Sequence, residues 1–150
     1  MADYGATVEW RSDGAFRDNG YSRAHSWSFD GGAVVPASAS PGNVPAGCAD
    51  PAGVDPEEAL VASVSSCHML WFLHLAREAG HDVAGYRDEA RASLGKGEDG
   101  RIAITRVTLR PKVEFADAAP EAEALARLHH EAHARCFIAN SLKAEVVVEG

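Results

Sequence analysis

Residues 54–80, VDPEEALVASVSSCHMLWFLHLAREAG, decide the fold. Asp55 has the side chain of a helix N-cap, Pro56 suits the first helical position, and Glu57 and Glu58 put negative charge where the helix dipole favours it. Gly80 supplies a stop, so the pattern predicts a helix from Pro56 to about Glu78. From Ala59 to Leu75 the helix is apolar on nearly every side. A helix of that kind belongs in the middle of a protein or at a large interface. At its centre stand a thiol, Cys67, and an imidazole, His68.

Ahead of it, residues 4–10 alternate weakly as a strand, and 20–30 alternate over Tyr21, Arg23, His25, Trp27 and Phe29. Gly31-Gly32 turns the chain into the short run AVVP. Residues 36–53 hold four of the seven prolines and read as a long irregular loop, which contains Cys48. Loops of that length inside a domain tend to be functional. After the helix, 83–95 and 101–115 flank the turn KGEDGR and read as a hairpin, with Pro111 marking an edge or a bulge. Pro120 opens a second amphipathic helix ending near Cys136, and KAEVVVE closes the chain as a strand. The order β-β-β-α-β-β-α-β makes an α+β domain spanning 1–150.

The chain has 150 residues with 14 Lys/Arg against 22 Asp/Glu, a net charge of −8. That sign repels phosphate backbones and anionic lipid, so neither nucleic acid nor a membrane is an expected partner. No run reaches the roughly 18 unbroken apolar residues of a membrane span, and the first residues show no secretory leader pattern. The expected compartment is the cytoplasm. Three cysteines with no CxxC spacing make a poor disulfide framework, so each thiol is judged by its own setting.

A cysteine in an apolar helix is most often a small buried hydrophobe. Cys67 and Cys136 are more informative as a pair, because one follows the apolar stretch of each helix, and two helices packed on one sheet could bring them together. A metal site competes with this reading. His129, His130, His133 and Cys136 crowd one helix, and the i, i+4 spacing of His129 and His133 suits a divalent ion. Against it, the cluster lacks the acidic base of a metallohydrolase helix.

The segments VDPEEALVASVSSCHM and ARCFIANSLKAEVVVE resemble the OsmC/Ohr family (osmotically induced protein C and organic hydroperoxide resistance protein). The residues that carry the resemblance are Pro56-Glu57 at the helix start, Cys67 ten residues after that glutamate, Cys136, and the terminal Leu142-Lys143-Ala144-Glu145. The element order extends it over most of the chain. Val54-Asp55 replaces the usual Thr-Asn, His68 follows the first cysteine, and Cys48 matches no family position.

The resemblance implies an OsmC-like fold with a central buried helix, assembled as an intertwined homodimer. It also implies a peroxidase for organic hydroperoxides that needs no cofactor or metal. Cys67 would attack the peroxide, Cys136 would resolve the resulting sulfenic acid, and an external dithiol would reduce the disulfide. Cys67 lies about a dozen residues into its helix, beyond the reach of the dipole, and apolar burial disfavours a thiolate. A cation must therefore stand nearby. The family uses an arginine held by the glutamate, here Glu57. Arg23, in phase with Tyr21, His25 and Trp27, is the first choice for that arginine, and Arg11 and Arg17 are the alternatives. His68, 100° from Cys67 around the axis, is expected in a structural or interface role, with proton carriage as the alternative. Trp71 and Phe72 either pack the core or line the organic tail of the peroxide. A non-catalytic protein binding a small hydrophobic ligand in the same cavity is the second functional reading.

Helix geometry adds one constraint. Ten residues of continuous helix separate Glu57 from Cys67 by about 15 Å of rise and about 80° around the axis. No Pro or Gly between 59 and 66 would break the helix. Glu57 is therefore expected to serve Cys67 of a partner subunit across a two-fold interface.

Overall fold

The expected helix is one unbroken element, α1 (Pro56–Glu78), in the computed structural model, which describes residues 1–150. Its start is a reciprocal capping box. The Glu58 N–H donates to Asp55 Oδ1 at 2.8 Å, and the Asp55 N–H donates to Glu58 Oε1 at 3.4 Å. Its end is set by Gly80, whose φ of +88° only glycine adopts without strain, with the His81 N–H reaching back to the Ala76 carbonyl. Within one chain, burial is confined to Val64, His68, Phe72 and Ala76, a single stripe of every fourth residue. Burial on all sides is therefore not met by the chain's own contacts: Leu70 is 61% exposed. By length and hydropathy α1 would also suffice to cross a bilayer. Serines and histidines interrupt the helix, so no unbroken apolar run marks it in the sequence.

The chain divides into two units, Met1–Ala59 and Leu60–Gly150. The first holds an antiparallel sheet of β1 (Thr7–Glu9), β2 (His25–Ser28) and β3 (Val34–Ala37) in that order. Pro36 lacks a donor, and β3 is the edge strand that tolerates it. The far side of β3 is met by the segment leading into α1. The Ser38 N–H donates to the Val54 carbonyl and the Val54 N–H to the Pro36 carbonyl, both at 3.0 Å. Gly53 makes this approach possible, since a Cβ there would sit 3.0 Å from the Ala37 carbonyl carbon and from Ser38 Cβ. β2 is shorter than the 20–30 run suggested. The Arg23 N–H donates to the Cys48 carbonyl at 2.8 Å, outside the ladder, so Arg23 precedes the strand.

In the second unit each arm of the expected hairpin divides in two: β4 (Val83–Asp88) and β5 (Arg91–Lys96), then β6 (Ile102–Leu109) and β7 (Pro111–Phe115). β5 pairs with β6, while β4 pairs with β7 in a separate sheet. The break has a local cause. Pro111 has no N–H, and the Arg110 N–H donates to Asp88 Oδ1 at 2.7 Å in place of a strand carbonyl. Next come α2 (Ala122–Arg135), the single turn α3 (Phe137–Asn140) and β8 (Glu145–Val148), which pairs parallel to β6. A parallel partner needs a long crossover, here supplied by β7 and both helices. The order is thus β-β-β-α-β-β-β-β-α-α-β, of the α+β class.

Two apolar clusters hold the second unit together. Val64 packs with Val107 and Leu109 of β6, with Ile138 and β8 residues around them. Phe72 and Ala76 pack with Ala132 of α2 and with Val83, Tyr86, Val113 and Phe115 of the β4–β7 sheet. Phe72 is therefore core.

Replacing Asp55 by Ala removes one half of the capping box and leaves the first-turn donors unmet. Chemical denaturation should show a loss of about 1 kcal/mol, while Asp55→Asn, which keeps an acceptor, stays within a few tenths.

Candidate active site

Cys67, half-buried on α1, and Cys136, 1% exposed at the junction of α2 and α3, are both free thiols. Cys136 Sγ reaches the Val64 carbonyl at 4.0 Å, one turn before Cys67 on α1, which makes the two thiols neighbours. Cys136 closes α2 and opens α3: its N–H donates to the His133 carbonyl at 3.2 Å, and its Sγ accepts from the Ala139 N–H at 3.4 Å. Burial pushes the Cys136 thiol above its ordinary pKa, and the neighbouring Cys67 pushes the same way against the opposing Ala139 N–H. Cys136 is thus held as a neutral, protected thiol, and Cys67 is the more accessible partner.

One residue beyond Cys67, the His68 ring is 1% exposed and its Nε2 lies 3.0 Å from Nδ1 of His129 on α2. The rings are nearly parallel, at 6°, and Phe72 stacks on His129 with centroids 4.3 Å apart. Burial drives the His68 pKa down from 6.5 to about 4, helped by His129 and His133 and opposed by Asp88. Burial also lowers that of His129. Both rings are therefore neutral near pH 7. Since His68 Nδ1 is buried with no partner, we assign its proton to Nε2, which leaves a bare lone pair inside in place of an unmet N–H. His129 then accepts at Nδ1 and carries its own proton on Nε2.

Around this pair the Tyr86 hydroxyl and His133 Nδ1 are also buried without partners, and burial raises the Tyr86 pKa well above its ordinary value. Asp88 accepts from Ser65 Oγ at 2.5 Å as well as from Arg110, tying α1 to the strand junction. No three His, Cys, Asp or Glu side chains are arranged to hold a metal ion. His129, which the sequence placed in a metal cluster with His130, His133 and Cys136, spends Nδ1 on His68.

In the first unit, Arg23 and Glu57 line one cavity of about 550 Å³ with Trp10, Phe16, Tyr21 and His25. The three large aromatics cluster with centroids 5.0 to 5.9 Å apart. The Trp10 N–H donates to the Ser22 carbonyl at 2.8 Å, and Asp13 Oδ2 accepts from the Ser22 N–H at 3.0 Å, which folds residues 10–22 into a wall. Arg23 donates to the Tyr21 carbonyl at 2.6 Å and to Asn19 Oδ1 at 2.9 Å, and its guanidinium lies 3.5 Å above the Tyr21 ring. Arg23 makes no ion pair with Glu57. Arg11 and Arg17 are exposed and are not among the cavity-lining residues.

The structure therefore joins Cys67 to Cys136 in one unit and Arg23 to the cavity of Glu57 in the other. Ten residues of unbroken helix stand between Glu57 and Cys67. Cys48 is buried in the loop of the first unit. Sequence reasoning missed the His68–His129 bond, the Asp88 clamp and Tyr86. For His68 a signal existed, since it falls on the i, i+4 stripe between Val64 and Phe72.

A profile of OsmC-like proteins matches residues 49–149. An OsmC-like protein of unknown function from Vibrio cholerae is similar at 49% identity, with TM-score 0.96 over 99% of both chains. An organic hydroperoxide resistance protein of Bacillus subtilis is similar at 25% identity, with TM-score 0.66 over 97% of both chains. Another of that description, from Elizabethkingia anophelis, shares the fold at 19% identity, with TM-score 0.70 over 99% of this chain and 93% of its own. A comparison with curated proteins finds no match.

The histidine pair makes stability depend on pH. The unfolded chain takes up a proton at this position near pH 6.5, whereas the folded chain resists until about pH 4. The contribution is therefore complete above pH 6.5 and is lost as pH falls toward 4. Urea midpoints should drop between pH 7.5 and pH 5, and the drop should shrink in His68→Leu. Equal midpoints at the two pH values would contradict a neutral buried pair.

Proposed function

This chain belongs to the OsmC-like family, and we propose that it reduces organic hydroperoxides with Cys67 as the attacking thiolate and Cys136 as the resolving thiol. The observation that carries the reading is the placement of these two thiols as neighbours, Cys67 half-buried and Cys136 buried against the turn of α1 that precedes it. The more accessible sulfur suits attack on a substrate arriving from outside. The buried sulfur, held protonated beside it, suits condensation with a sulfenic acid that forms next door.

In the proposed cycle the Cys67 thiolate takes the distal oxygen of ROOH and, with one proton, releases ROH. The Cys136 thiol then attacks the sulfenic sulfur, its proton leaves with the hydroxyl as water, and an external dithiol reduces the disulfide. The name borne by the relatives from Bacillus subtilis and Elizabethkingia anophelis, organic hydroperoxide resistance, supports the substrate class. The aromatic cavity favours an organic peroxide over hydrogen peroxide, since its apolar wall gains only from a substrate with a tail. A dithiol-coupled assay should show turnover of a bulky hydroperoxide in preference to hydrogen peroxide. Cys67→Ser should abolish it. Full turnover without Cys67 would overturn its role as nucleophile, and no turnover by the unaltered chain would leave the ligand-binding reading of the same cavity.

The activating cation is proposed to come from a partner subunit in a homodimer. Glu57 and Cys67 share an unbroken helix with about 15 Å of rise between them, which no glutamate side chain spans. The apolar side of α1 around Leu70 and Trp71, with Phe137 67% exposed, is left open by the chain's own fold. A second copy covering it would bring Arg23 and Glu57 of one protomer to Cys67 of the other. Mixing Glu57→Ala chains with Cys67→Ser chains should then restore partial activity, because each heterodimer keeps one complete site. Inactive mixtures in which heterodimers have formed would place the action of Glu57 within its own chain.

A further inference from the structure

Cys136 Sγ has two partners that a bond to Cys67 would disturb. It donates to the Val64 carbonyl at 4.0 Å, and it accepts the Ala139 N–H at 3.4 Å, the side-chain cap of α3. α3 is a single turn of four residues, so one cap bond is a large share of what holds it. Ile138 in that turn packs on the Val64 cluster, and Phe137 meets the Trp71 ring edge-on at 5.7 Å. The turn therefore helps to enclose the Cys136 sulfur.

A disulfide requires sulfurs about 2.05 Å apart, and both cysteines are free thiols in this structure, so one of them must move when the bond forms. Cys67 sits in mid-helix on α1, with intact turns on both sides. Cys136 sits between two helices in extended backbone, at φ −66° and ψ 109°. The softer position is Cys136.

We propose that α3 is a redox-controlled cover over the resolving sulfur, closed by the Cys136 cap in the dithiol form and loosened when Cys136 bonds to Cys67. The proposal rests on the reading that this pair forms a disulfide. The oxidant is an organic hydroperoxide: ROOH and one proton convert the Cys67 thiolate to sulfenic acid and ROH, and Cys136 displaces water to close the S–S bond. The disulfide must later be attacked by an external dithiol, although Cys136 is only 1% exposed in the dithiol form. Release of Phe137–Asn140 opens that approach only when there is a disulfide to reduce.

The test is amide exchange at Ala139 and Asn140, followed by NMR in the full chain. The protein is compared reduced, after diamide, and after a bulky alkyl hydroperoxide, with the Cys67–Cys136 bond verified by mass spectrometry in each sample. Disulfide formation should accelerate exchange at Ala139 by roughly fivefold, the factor that goes with losing a cap. Cys136→Ser keeps a cap acceptor and has no thiol to pair, so its exchange should stay slow in all three conditions. Cys136→Ala should exchange fast even when reduced. Unchanged exchange in a fully oxidised chain, or slow exchange in Cys136→Ala, would overturn the cover. A bond formed by diamide and not by the hydroperoxide would overturn the peroxidase reading while the exchange data still judge the cover. A chain in which neither oxidant forms the bond contradicts both.

Discussion

The hydrogen bond between His68 and His129 fixes how α2 lies on α1, and the thiol pair follows from it. His68 is the residue after Cys67, and His129 stands seven residues, about two helical turns, before Cys136. Locking one pair of rings at that crossing sets the other end of α2 against the Cys67 turn. Phe72 stacked on His129 and Ala132 packed against Ala76 keep the helices from rolling past each other. The two imidazoles share this hydrogen bond as neutral donor and neutral acceptor, because a charge on either buried ring would be poorly solvated, and burial drives the His68 pKa to about 4. The polar cluster is thus part of the core's geometry and sets a lower limit on the pH at which that geometry is favoured.

The two thiols sit in contrasting surroundings. Cys136 lies within an apolar wall, between the cap of α3 and the Val64 carbonyl 4.0 Å away. Its thiol is held neutral by burial. Cys67 is the less enclosed of the two, and Arg23, the cation proposed to favour its thiolate, lines the cavity of the first unit. Arg23 is already fixed there by Asn19, Tyr21 and the Tyr21 ring. An arginine held in this way loses little freedom when a thiolate or a peroxide oxygen is presented to it, which is the physical value of preorganisation.

Local chemistry made α1 legible: Asp55, Pro56 and Glu58 at one end and Gly80 at the other gave its limits, and these match the folded helix to the residue. The spacing of Glu57, Cys67 and Cys136 likewise carried the family resemblance. The division of the long strands was half visible, in Pro111. Its counterpart, the Asp88 carboxylate taking the Arg110 N–H, joins residues 22 apart and leaves no mark in a periodicity. The histidine pair spans 61 residues and is invisible for the same reason. Arg23 read as a strand residue because its neighbours alternate. The turn at Phe16–Asp18 and the Cys48 carbonyl draw it out of the sheet, and neither is encoded next to it.

The central claim is that Cys67 and Cys136 act as one redox pair, and mass spectrometry of the oxidised chain tests it most directly. After treatment with one equivalent of an organic hydroperoxide, peptide mapping should find an intrachain bond between Cys67 and Cys136, with Cys48 still alkylatable once the chain is unfolded. A dominant bond to Cys48, or Cys67 driven to sulfinic acid while Cys136 remains a free thiol, would contradict the account.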